Sequence, residues 1–225
     1  MKKILLTLIF SLIFITSTSY AFAQHIEDPV VVIETNQGEM VIEFFHLDAP
    51  KHTENFILLS KSGYYDGVLF HRIIPGFMIQ SGDPNSIDGD PNSWGTGGKG
   101  ALSDSVNAEF NNIKHDRGIV SMARAQDPNS AGSQFFIVHK DSHFLDEQYT
   151  VFGRIVTESS FETLDKIAAV QTGSNDRPIN PEQVRIISAT VVERSDISNI
   201  MNLSDPSRTG STAVSYTHLT LPTKA

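Results

Sequence analysis

The most informative stretch of this sequence is FHRIIPGFMIQ, at residues 70–80. Its second half, from Gly76 to Gln80, is a strand candidate. Residues two apart in a strand share a face, so Met78 and Gln80 are expected to point the same way. Arg72 lies just upstream of the turn before that strand. A face carrying Arg, Met, Gln and Phe is an apolar cleft with a few hydrogen-bonding groups, the general composition of a small-ligand or peptide site.

A second informative region begins with SMARA at residues 121–125 and continues through GSQFFI at 132–137, FLD at 144–146 and YTVFG at 149–153. The sequence has no nucleophile elbow, no phosphate loop of the G-x-x-x-x-G-K-[ST] type and no H-E-x-x-H motif. It also has no cysteine, which excludes disulfides, thiolate catalysis and thiolate metal sites. What remains is chemistry that needs no nucleophile, metal or cofactor.

Two other patterns fall short of metal sites. His139 and His143 are four residues apart, which would suit a metal on a helix, but they fall in a strand end and a loop. The run Asp88-x-Asp90-x-Asn92 resembles the opening of a calcium loop. Such a loop needs Gly at its sixth position and Glu at its twelfth, where this sequence has Ser93 and Lys99. No metal is therefore predicted.

Short strands and dense turns surround the two regions. Residues 30–33 and 39–45 are rich in β-branched and aromatic residues, and the turn residues Asn36-Gln37-Gly38 between them predict a hairpin. A last strand at 184–192 would have to pair with this hairpin to bury its apolar face. Further short strands are predicted at Val68–Phe70, Phe77–Ile79, Gly118–Met122, Phe135–Val138 and Thr150–Phe152. This pattern suggests a β-barrel or a sandwich.

Two helices are predicted beside the strands. Asp48 is a candidate N-cap for the first, with Pro50 in its first turn and Gly63 at its end. The second is predicted from the spacing of Ser159 and Glu162, which fits a capping box in front of an apolar helical pattern.

The long motifs resemble the cyclophilin family of peptidyl-prolyl cis–trans isomerases, here as a bacterial, exported, periplasmic-like member. The resemblance covers about Pro29 to Val192 and involves several ordered motifs. It implies a mainly β fold, an eight-stranded antiparallel β-barrel capped by two α-helices, within an isomerase domain at residues 29–194. It also implies a monomer that needs no cofactor.

The resemblance implies that Arg72 is the catalytic arginine, that Gln80 bonds the peptide backbone and helps hold the arginine, and that Gly95 lies in a loop at the edge of the cleft. It places the apolar pocket for the proline ring at Phe77, Met78, Phe136 and Leu145. It places further substrate contacts at Ala123, Arg124, Gln134, Phe144 and Tyr149. His71, beside the arginine, is interpreted as a structural, hydrogen-bonding histidine.

An arginine suits this chemistry for a physical reason. Rotation about an X-Pro bond has a barrier of about 18–20 kcal/mol because resonance gives the C–N bond double-bond character. When the bond twists, the prolyl nitrogen gains a localised lone pair. A guanidinium aimed at that nitrogen favours the twisted state over either planar one, which is differential binding of the transition state. Lys would be a poor substitute for the planar, always charged Arg.

Three positions depart from the family pattern. Phe144 stands where many eukaryotic members have Trp, so weak binding of cyclosporin-type inhibitors is expected. Tyr149 stands where many have His, so little pH dependence is expected from that position. Arg124 replaces a common Asn, and its side chain would suit acidic peptides.

The tetrapeptide Asp-Pro-Asn-Ser occurs three times, beginning at Asp83, Asp90 and Asp127. Its irregular spacing indicates recurring turn chemistry and not a repeat architecture. The stretch Asp83–Trp94 resembles an inserted loop, to which the family gives no firm role.

The two ends of the chain differ from its middle. A basic start, an apolar run from Ile4 to Ile15 and the sequence Ala21-Phe22-Ala23 predict a signal peptide cut after Ala23. The alternative is an uncleaved N-terminal anchor. Residues 195–225 are predicted to form a tail without packed structure, and SYTHLTLPTKA at 215–225 is interpreted as a non-native end. The protein is expected to be periplasmic or secreted, with no membrane association after cleavage.

The formal charge of −9 argues against nucleic acid as a partner. The expected partners are proline-containing peptides and unfolded exported proteins. The first function hypothesis is a prolyl isomerase that speeds slow X-Pro steps in folding. The second is a peptide-binding module or holdase chaperone on the same fold, because fold does not fix function. A binder needs the pocket but not the guanidinium, so Arg72 together with Gln80 favours the enzyme.

Overall fold

A computed structural model describes residues 28–197. The strands are β1 (Pro29–Thr35), β2 (Gly38–Phe44), β3 (Arg72–Ile74), β4 (Met78–Ser81), β5 (Ile119–Met122), β6 (Phe135–Val138), β7 (Val151–Ile155) and β8 (Ile186–Glu193). The α-helices are α1 (Pro50–Lys61) and α2 (Glu158–Ala168). The predicted signal peptide lies outside these residues. Among them, no helix is both long and apolar enough to cross a bilayer.

All eight strands form one antiparallel sheet in the order β3-β4-β6-β5-β7-β2-β1-β8. The sheet curls until its two ends meet. Residues 67–70, which we call the closing segment, pair there with residues 184–186 at the start of β8. Phe70 N donates to Val184 O at 2.9 Å, and Ile186 N donates to Val68 O at 2.8 Å. The prediction of a mainly β, eight-stranded antiparallel fold with two helices is confirmed.

One strand lies elsewhere than predicted. Residues Val68–Phe70, predicted as a strand, form only an isolated bridge from Leu69 to Arg185. The strand of this region is β3, which begins at Arg72 and pairs with β4. The strand was predicted because the run is apolar and lies between turn-rich stretches, and the run is indeed fully buried. A buried run of three residues carries no period that could tell a barrel-closing segment from a strand.

The predicted hairpin and last strand are both present. β1 pairs with β2, with Thr35 opposite Gly38 across the turn, and Thr35 Oγ1 accepts a hydrogen bond from Gln37 N at 3.0 Å. β8 pairs along the whole of β1, from Pro29 opposite Glu193 onward. Packed structure continues just beyond the predicted domain end. Ile197, which falls in the predicted tail, is buried in a small apolar cluster with β1 and β2.

Both helix N-caps differ from the prediction. Ala49 is the N-cap of α1 and makes no side-chain capping bond, so Asp48 is not the cap. Thr157 caps α2 by accepting a hydrogen bond from Ser160 N at 3.0 Å, so Ser159 lies inside the first turn and no Ser159 capping box forms. Thr157 provides the same chemistry two residues earlier.

The two faces of β6 separate the core from a second apolar cluster. Phe135 is fully buried and packs edge-on against Phe56 with ring centroids 5.1 Å apart. The next residue, Phe136, points the other way because side chains alternate along a strand. It joins a separate group of buried residues outside the main core, which includes Met78 and Leu145. We call this group the cleft cluster.

Candidate active site

Strand register places three of the predicted site residues in a row. Arg72 of β3 lies directly opposite Gln80 of β4, and Gln80 lies directly opposite Phe136 of β6. Directly opposed residues in neighbouring strands share a face of the sheet. A guanidinium, an amide and an aromatic ring therefore follow one another across three adjacent strands.

The cleft cluster gathers the predicted proline pocket. Its buried members are Met78, Ile119, Phe136, Val138, Leu145 and Val151. Half-buried residues packed against them are Phe45, Ile74, Phe77, Ile113, Ala123 and Tyr149. All four residues predicted for the proline ring are thus in contact with one apolar group, together with Ala123 and Tyr149. Phe144 lies at its rim, 66% exposed, with its ring centroid 5.4 Å from that of Phe77.

The Phe136 ring is held from two sides. The ring of Tyr149 meets it edge-on, with centroids 5.7 Å apart, and the buried ring of His115 stacks on it at 6.1 Å. His115 is fixed in turn by the Asp146 carboxylate, 3.0 Å from Nδ1, and by the Ser121 hydroxyl, 3.2 Å from Nε2. Burial lowers the pKa of His115 more than Asp146 raises it, so the ring is neutral at pH 7.

Asp146 stays ionised beside this ring. Burial opposes its ionisation, but the hydrogen bonds from the His115 backbone and ring and from Lys114 outweigh that effect. Together they lower the pKa of Asp146 to about 2. Sequence analysis did not identify His115 or Asp146 as part of the site, because their role is to support Phe136 from behind.

Gln80 is bound to a second glutamine and not to the arginine. Its Nε2 donates to Gln134 Oε1 at 2.9 Å, and Gln134 Nε2 donates to the backbone oxygen of Gly97 at 2.7 Å. No hydrogen bond joins Gln80 to Arg72 in the described part of the chain. Two side-chain amides thus connect Gln80 to the Gly95–Gly97 loop, and the role of Gln80 in holding the arginine stays a prediction.

The Asp83–Trp94 loop, whose role the sequence left open, is organised by one buried carboxylate. Asp83 Oδ1 accepts from Asn85 N at 2.9 Å, and Oδ2 accepts from Gly95 N and from Gly97 N. Gly95 itself, a predicted site residue, lies beside the ring of His71, the residue that precedes Arg72. The carboxylate of Asp83 thus fixes the loop that receives Gln134 and so belongs to the support of the site.

The three Asp-Pro-Asn-Ser tetrapeptides form the same local turn, as predicted from their composition. In each, the Asp Oδ1 accepts from the backbone N–H two residues on, at 2.8–2.9 Å. The Ser hydroxyl then donates to the Asp backbone oxygen at 2.6–2.7 Å. Of the three aspartates, only Asp83 is buried.

Arg72 has a partner that the sequence did not suggest. Its Nε lies 3.4 Å from Asp176 Oδ2, and the two side chains are 43% and 45% exposed. Asp176 belongs to a turn beyond α2, 104 residues away in the chain. No local pattern links the two positions. The only signal was a charged residue within a turn-forming stretch, SNDRP at residues 174–178.

Comparison with known proteins assigns the family. The model of the family described as cyclophilin type peptidyl-prolyl cis-trans isomerase/CLD matches residues 30–191. The chain belongs to this cyclophilin family of isomerases.

Similar proteins and solved structures also carry the name peptidyl-prolyl cis-trans isomerase. A peptidyl-prolyl cis-trans isomerase-like 1 protein of Gibberella zeae is 40% identical over 168 residues, covering 74% of this chain and 96% of the relative. A Streptococcus pyogenes protein named "Putative bifunctional phosphatase/peptidyl-prolyl cis-trans isomerase" is 41% identical over 178 residues. The match covers 67% of this chain and 36% of that protein. The crystal structure of a Cryptosporidium parvum cyclophilin, in the presence of the dipeptide Ala-Pro, is 35% identical with a TM-score of 0.65, covering 73% of this chain and 99% of that one.

In this cyclophilin, Arg124 is engaged by its own surroundings. Its guanidinium donates to the backbone oxygens of Gln148, at 3.0 and 3.1 Å, and of Ala125 at 2.9 Å. It also stacks 4.7 Å above the ring of Tyr149. The neighbouring Ala123 N donates to Gln134 O. These neutral partners hold the Arg124 side chain in place and leave its positive charge, so the expected preference for acidic peptides stays a prediction.

His71 lies behind the arginine without a well-formed hydrogen bond. The ring is buried, and neither nitrogen has a partner of good geometry in the described structure, although the Leu69 backbone oxygen is near enough to raise the pKa of the ring. The burial fits a structural role, and the hydrogen bonding of His71 stays a prediction. Burial lowers the pKa of His71 to about 4, although Asp83 acts in the opposite direction. The ring is therefore neutral at pH 7 and fills space between Arg72 and the Gly95 loop.

Two features of the described residues lie outside this site. A cavity of about 330 Å³ beside α1 is lined by Lys51, Glu54, Asn55, Leu102, Ser103, Ser105, Val106 and Asn107, none of them a predicted site residue. Asp116, Asp141 and His143 are close enough to share a metal ion, but all three are exposed. Asp116 already contacts His143 Nε2 at 2.7 Å, and Asp141 accepts a hydrogen bond from Arg117 N.

Proposed function

We propose that this cyclophilin isomerises X-Pro bonds by means of Arg72, with the proline ring held against the cleft cluster. The observation that carries the proposal is the row of Arg72, Gln80 and Phe136 across three adjacent strands. It sets a cation and an amide beside an apolar surface, without a nucleophile. That combination suits a reaction in which a bond rotates and none is broken.

The guanidinium would act on the twisted amide. As the C–N bond rotates, resonance is lost and the prolyl nitrogen offers a lone pair that neither planar state has. A donor directed at that nitrogen lowers the barrier because it binds the transition state better than the ground states. Gln80 is fixed by Gln134 and so offers its remaining groups to the peptide backbone in a constant direction.

The substrates we propose are proline-containing peptides. The pocket would consist of Phe77, Met78, Phe136 and Leu145, and the peptide would run past Gln80, Ala123, Arg124 and Gln134, with Gly95, Phe144 and Tyr149 at the rim. Support comes from the related Cryptosporidium parvum cyclophilin, whose crystal structure was determined in the presence of Ala-Pro. Phe144, exposed and lacking an indole N–H, fits weak binding of cyclosporin-type inhibitors. A monomer is sufficient, because every proposed group comes from one chain.

We also propose that the protein is exported and acts on unfolded exported proteins. The support is the basic start, apolar run and Ala21-Phe22-Ala23 sequence at the N-terminus. Expression of the full chain in a bacterium, followed by fractionation and intact-mass measurement, tests this. A periplasmic or secreted product beginning at Gln24 is expected. A cytosolic product, or one that keeps its first 23 residues in the membrane, would contradict it.

The arginine mechanism is tested with Arg72→Ala and Arg72→Lys in a protease-coupled assay on a short Xaa-Pro peptide. Loss of one well-placed donor typically lowers kcat by about a hundredfold or more, so both variants should fall by at least that much. Arg117→Ala is a matched control, because Arg117 has comparable exposure and also pairs with a carboxylate, Asp165, outside the cleft.

The outcomes separate the two function hypotheses. Activity lost in both Arg72 variants, with proline-peptide binding and the circular dichroism spectrum kept, supports the arginine mechanism. Arg72→Ala that stays within threefold of wild type would show that another group stabilises the twisted bond. A folded wild-type protein that binds proline peptides without isomerising them would instead be a peptide-binding module.

A further inference from the structure

A carboxylate from a distant turn contacts the proposed catalytic guanidinium. Asp176 Oδ2 lies 3.4 Å from Arg72 Nε, and within residues 28–197 this is the one hydrogen bond that the Arg72 side chain makes. We infer that Asp176 is a positioning residue for isomerisation, which aims the Arg72 guanidinium at the twisted amide. The inference rests on the proposed catalytic role of Arg72.

Because Asp176 contacts Arg72 at Nε, the other N–H groups of the guanidinium remain available to the substrate. Asp176 takes the Nε–H of the guanidinium, while the Nη1 and Nη2 groups have no protein partner among the described residues. A planar guanidinium held at Nε keeps a fixed plane and presents its other N–H groups along one edge. Arg72 is 43% exposed, so without this contact its long side chain would be free to sample several rotamers in solvent.

The turn that carries Asp176 is itself well fixed. It is a narrow loop closed by backbone bonds from Ile179 N to Gln171 O at 2.9 Å and from Gly173 N to Arg177 O at 2.8 Å. Asp176 has a φ of 58°, in the left-handed region that Asp and Asn tolerate better than most residues. The carboxylate therefore stands on a backbone conformation that holds it in place.

A second contact ties this turn to the loop on the other side of the arginine. Arg177 Nη1 lies 3.4 Å from Asn92 Oδ1, in the Asp83–Trp94 loop. Gly97, just after that loop, accepts a hydrogen bond from Gln134, the partner of Gln80. The contacts of Arg72, through Asp176, and of Gln80, through Gln134, thus lead to adjoining parts of residues 83–97.

The expected size of the effect follows from the exposure of the pair. Ion pairs between half-exposed side chains contribute weakly, because water and salt screen them. Removing the Asp176 carboxylate should lower kcat about two- to fivefold. KM should stay within about 1.5-fold of wild type, because the apolar pocket that binds the proline ring is untouched. The loss should shrink at 1 M salt, where the Debye length is about 3 Å.

Two variants test this without straining the turn. Asp176→Asn removes the charge and Asp176→Gly removes the side chain, and both residues accept a positive φ. Asn175→Gly is the matched control for the backbone, because Asn175 also has a positive φ, 61°, and makes no hydrogen bond to Arg72. Asp104→Asn controls for net charge, since Asp104 pairs with Lys99 on the surface away from the cleft.

The decisive comparison adds Arg72→Ala. If Asp176 acts through the arginine, Asp176→Gly should lower kcat in the wild type but leave the residual activity of Arg72→Ala unchanged. An equal loss in both backgrounds, a change in KM alone, or an increase in kcat would overturn the inference. The proposed function fails separately, if Arg72→Ala itself keeps its activity. The Arg72 Nε–H signal in NMR gives a readout independent of turnover, and it should exchange faster with water in Asp176→Gly.

Discussion

Two neighbouring phenylalanines on β6 allow the division between core and cleft to be tested with one chemical change. Phe135→Ala removes a fully buried ring that meets Phe56 at 5.1 Å, Tyr65 at 5.5 Å and Phe70 at 6.4 Å. Phe136→Ala removes a ring in the cleft cluster, 5% exposed, with two ring partners, His115 and Tyr149, among residues 28–197. The two variants delete the same atoms at adjacent positions, so they differ only in which face they affect.

The expected magnitudes follow from those surroundings. Truncation of a buried Phe to Ala costs about 3–5 kcal/mol, and edge-on aromatic contacts add about 0.5–1.5 kcal/mol each beyond area burial. Phe135→Ala should therefore cost about 4–5 kcal/mol in unfolding free energy, and Phe136→Ala about 3 kcal/mol. In a domain of this size each kcal/mol lowers Tm by about 2–4 °C. Phe135→Ala should thus lose about 10–15 °C in Tm.

Activity should rank the two variants in the opposite order. At a temperature where both are folded, Phe135→Ala should keep kcat/KM within about threefold of wild type, because its ring faces the core. Phe136→Ala should lose at least about tenfold, because the proline ring loses apolar surface worth about 0.8 kcal/mol per buried CH₂. Differential scanning calorimetry and the peptide assay measure the two quantities. Unchanged kcat/KM in Phe136→Ala would refute the assignment of this face to the substrate.

Two further predictions concern groups behind the site. His71 has a pKa of about 4 when folded and 6.5 ordinarily, so the unfolded chain binds more protons between these values. Stability should fall by about 3 kcal/mol from this group as the pH drops from 6.5 to 4, and urea titrations should show that His71→Phe lacks this component. Asp83→Asn should lower unfolding free energy by about 2 kcal/mol and kcat/KM severalfold, because an amide has one acceptor oxygen and its NH2 group would face either Asn85 N or the two glycine N–H groups. Asp90→Asn, in the exposed copy of the same turn, should change neither quantity.

Local sequence patterns predicted the elements whose cause is local. The alternation in β2 and the turn residues Asn36-Gln37-Gly38 predicted the hairpin, and Asp-Pro-Asn-Ser predicted three matching turns. The patterns failed where two residues a few positions apart can do the same task, as at Thr157, which caps α2 in place of Ser159. Short strands and a β-barrel or sandwich were predicted from pattern, but the choice of the barrel came only from the family resemblance.

The candidate site was predicted as a set of residues but not as a network. Long motifs supplied Arg72, Gln80 and the apolar pocket, and register then explains why they meet. The partners that orient them, such as Asp176 and Asp83, could not be predicted. Their role depends on which loops the closed sheet brings together, and a lone acidic residue in a turn is most often solvated. For the same reason, the sequence did not predict that Gln80 contacts Gln134 and that Arg72 contacts Asp176.

The position of Arg72 directly after the closing segment has a consequence for folding kinetics. Asp176 lies 104 residues away and reaches Arg72 only when the chain before β3 has met the chain before β8. Contacts of such long sequence separation form slowly in β-rich proteins, because the loop entropy must be overcome first. A folding intermediate with paired strands and an open barrel would already contain the cleft cluster, but Arg72 would lack its contact with Asp176. During refolding, the recovery of full turnover therefore reports barrel closure, while peptide binding recovers earlier.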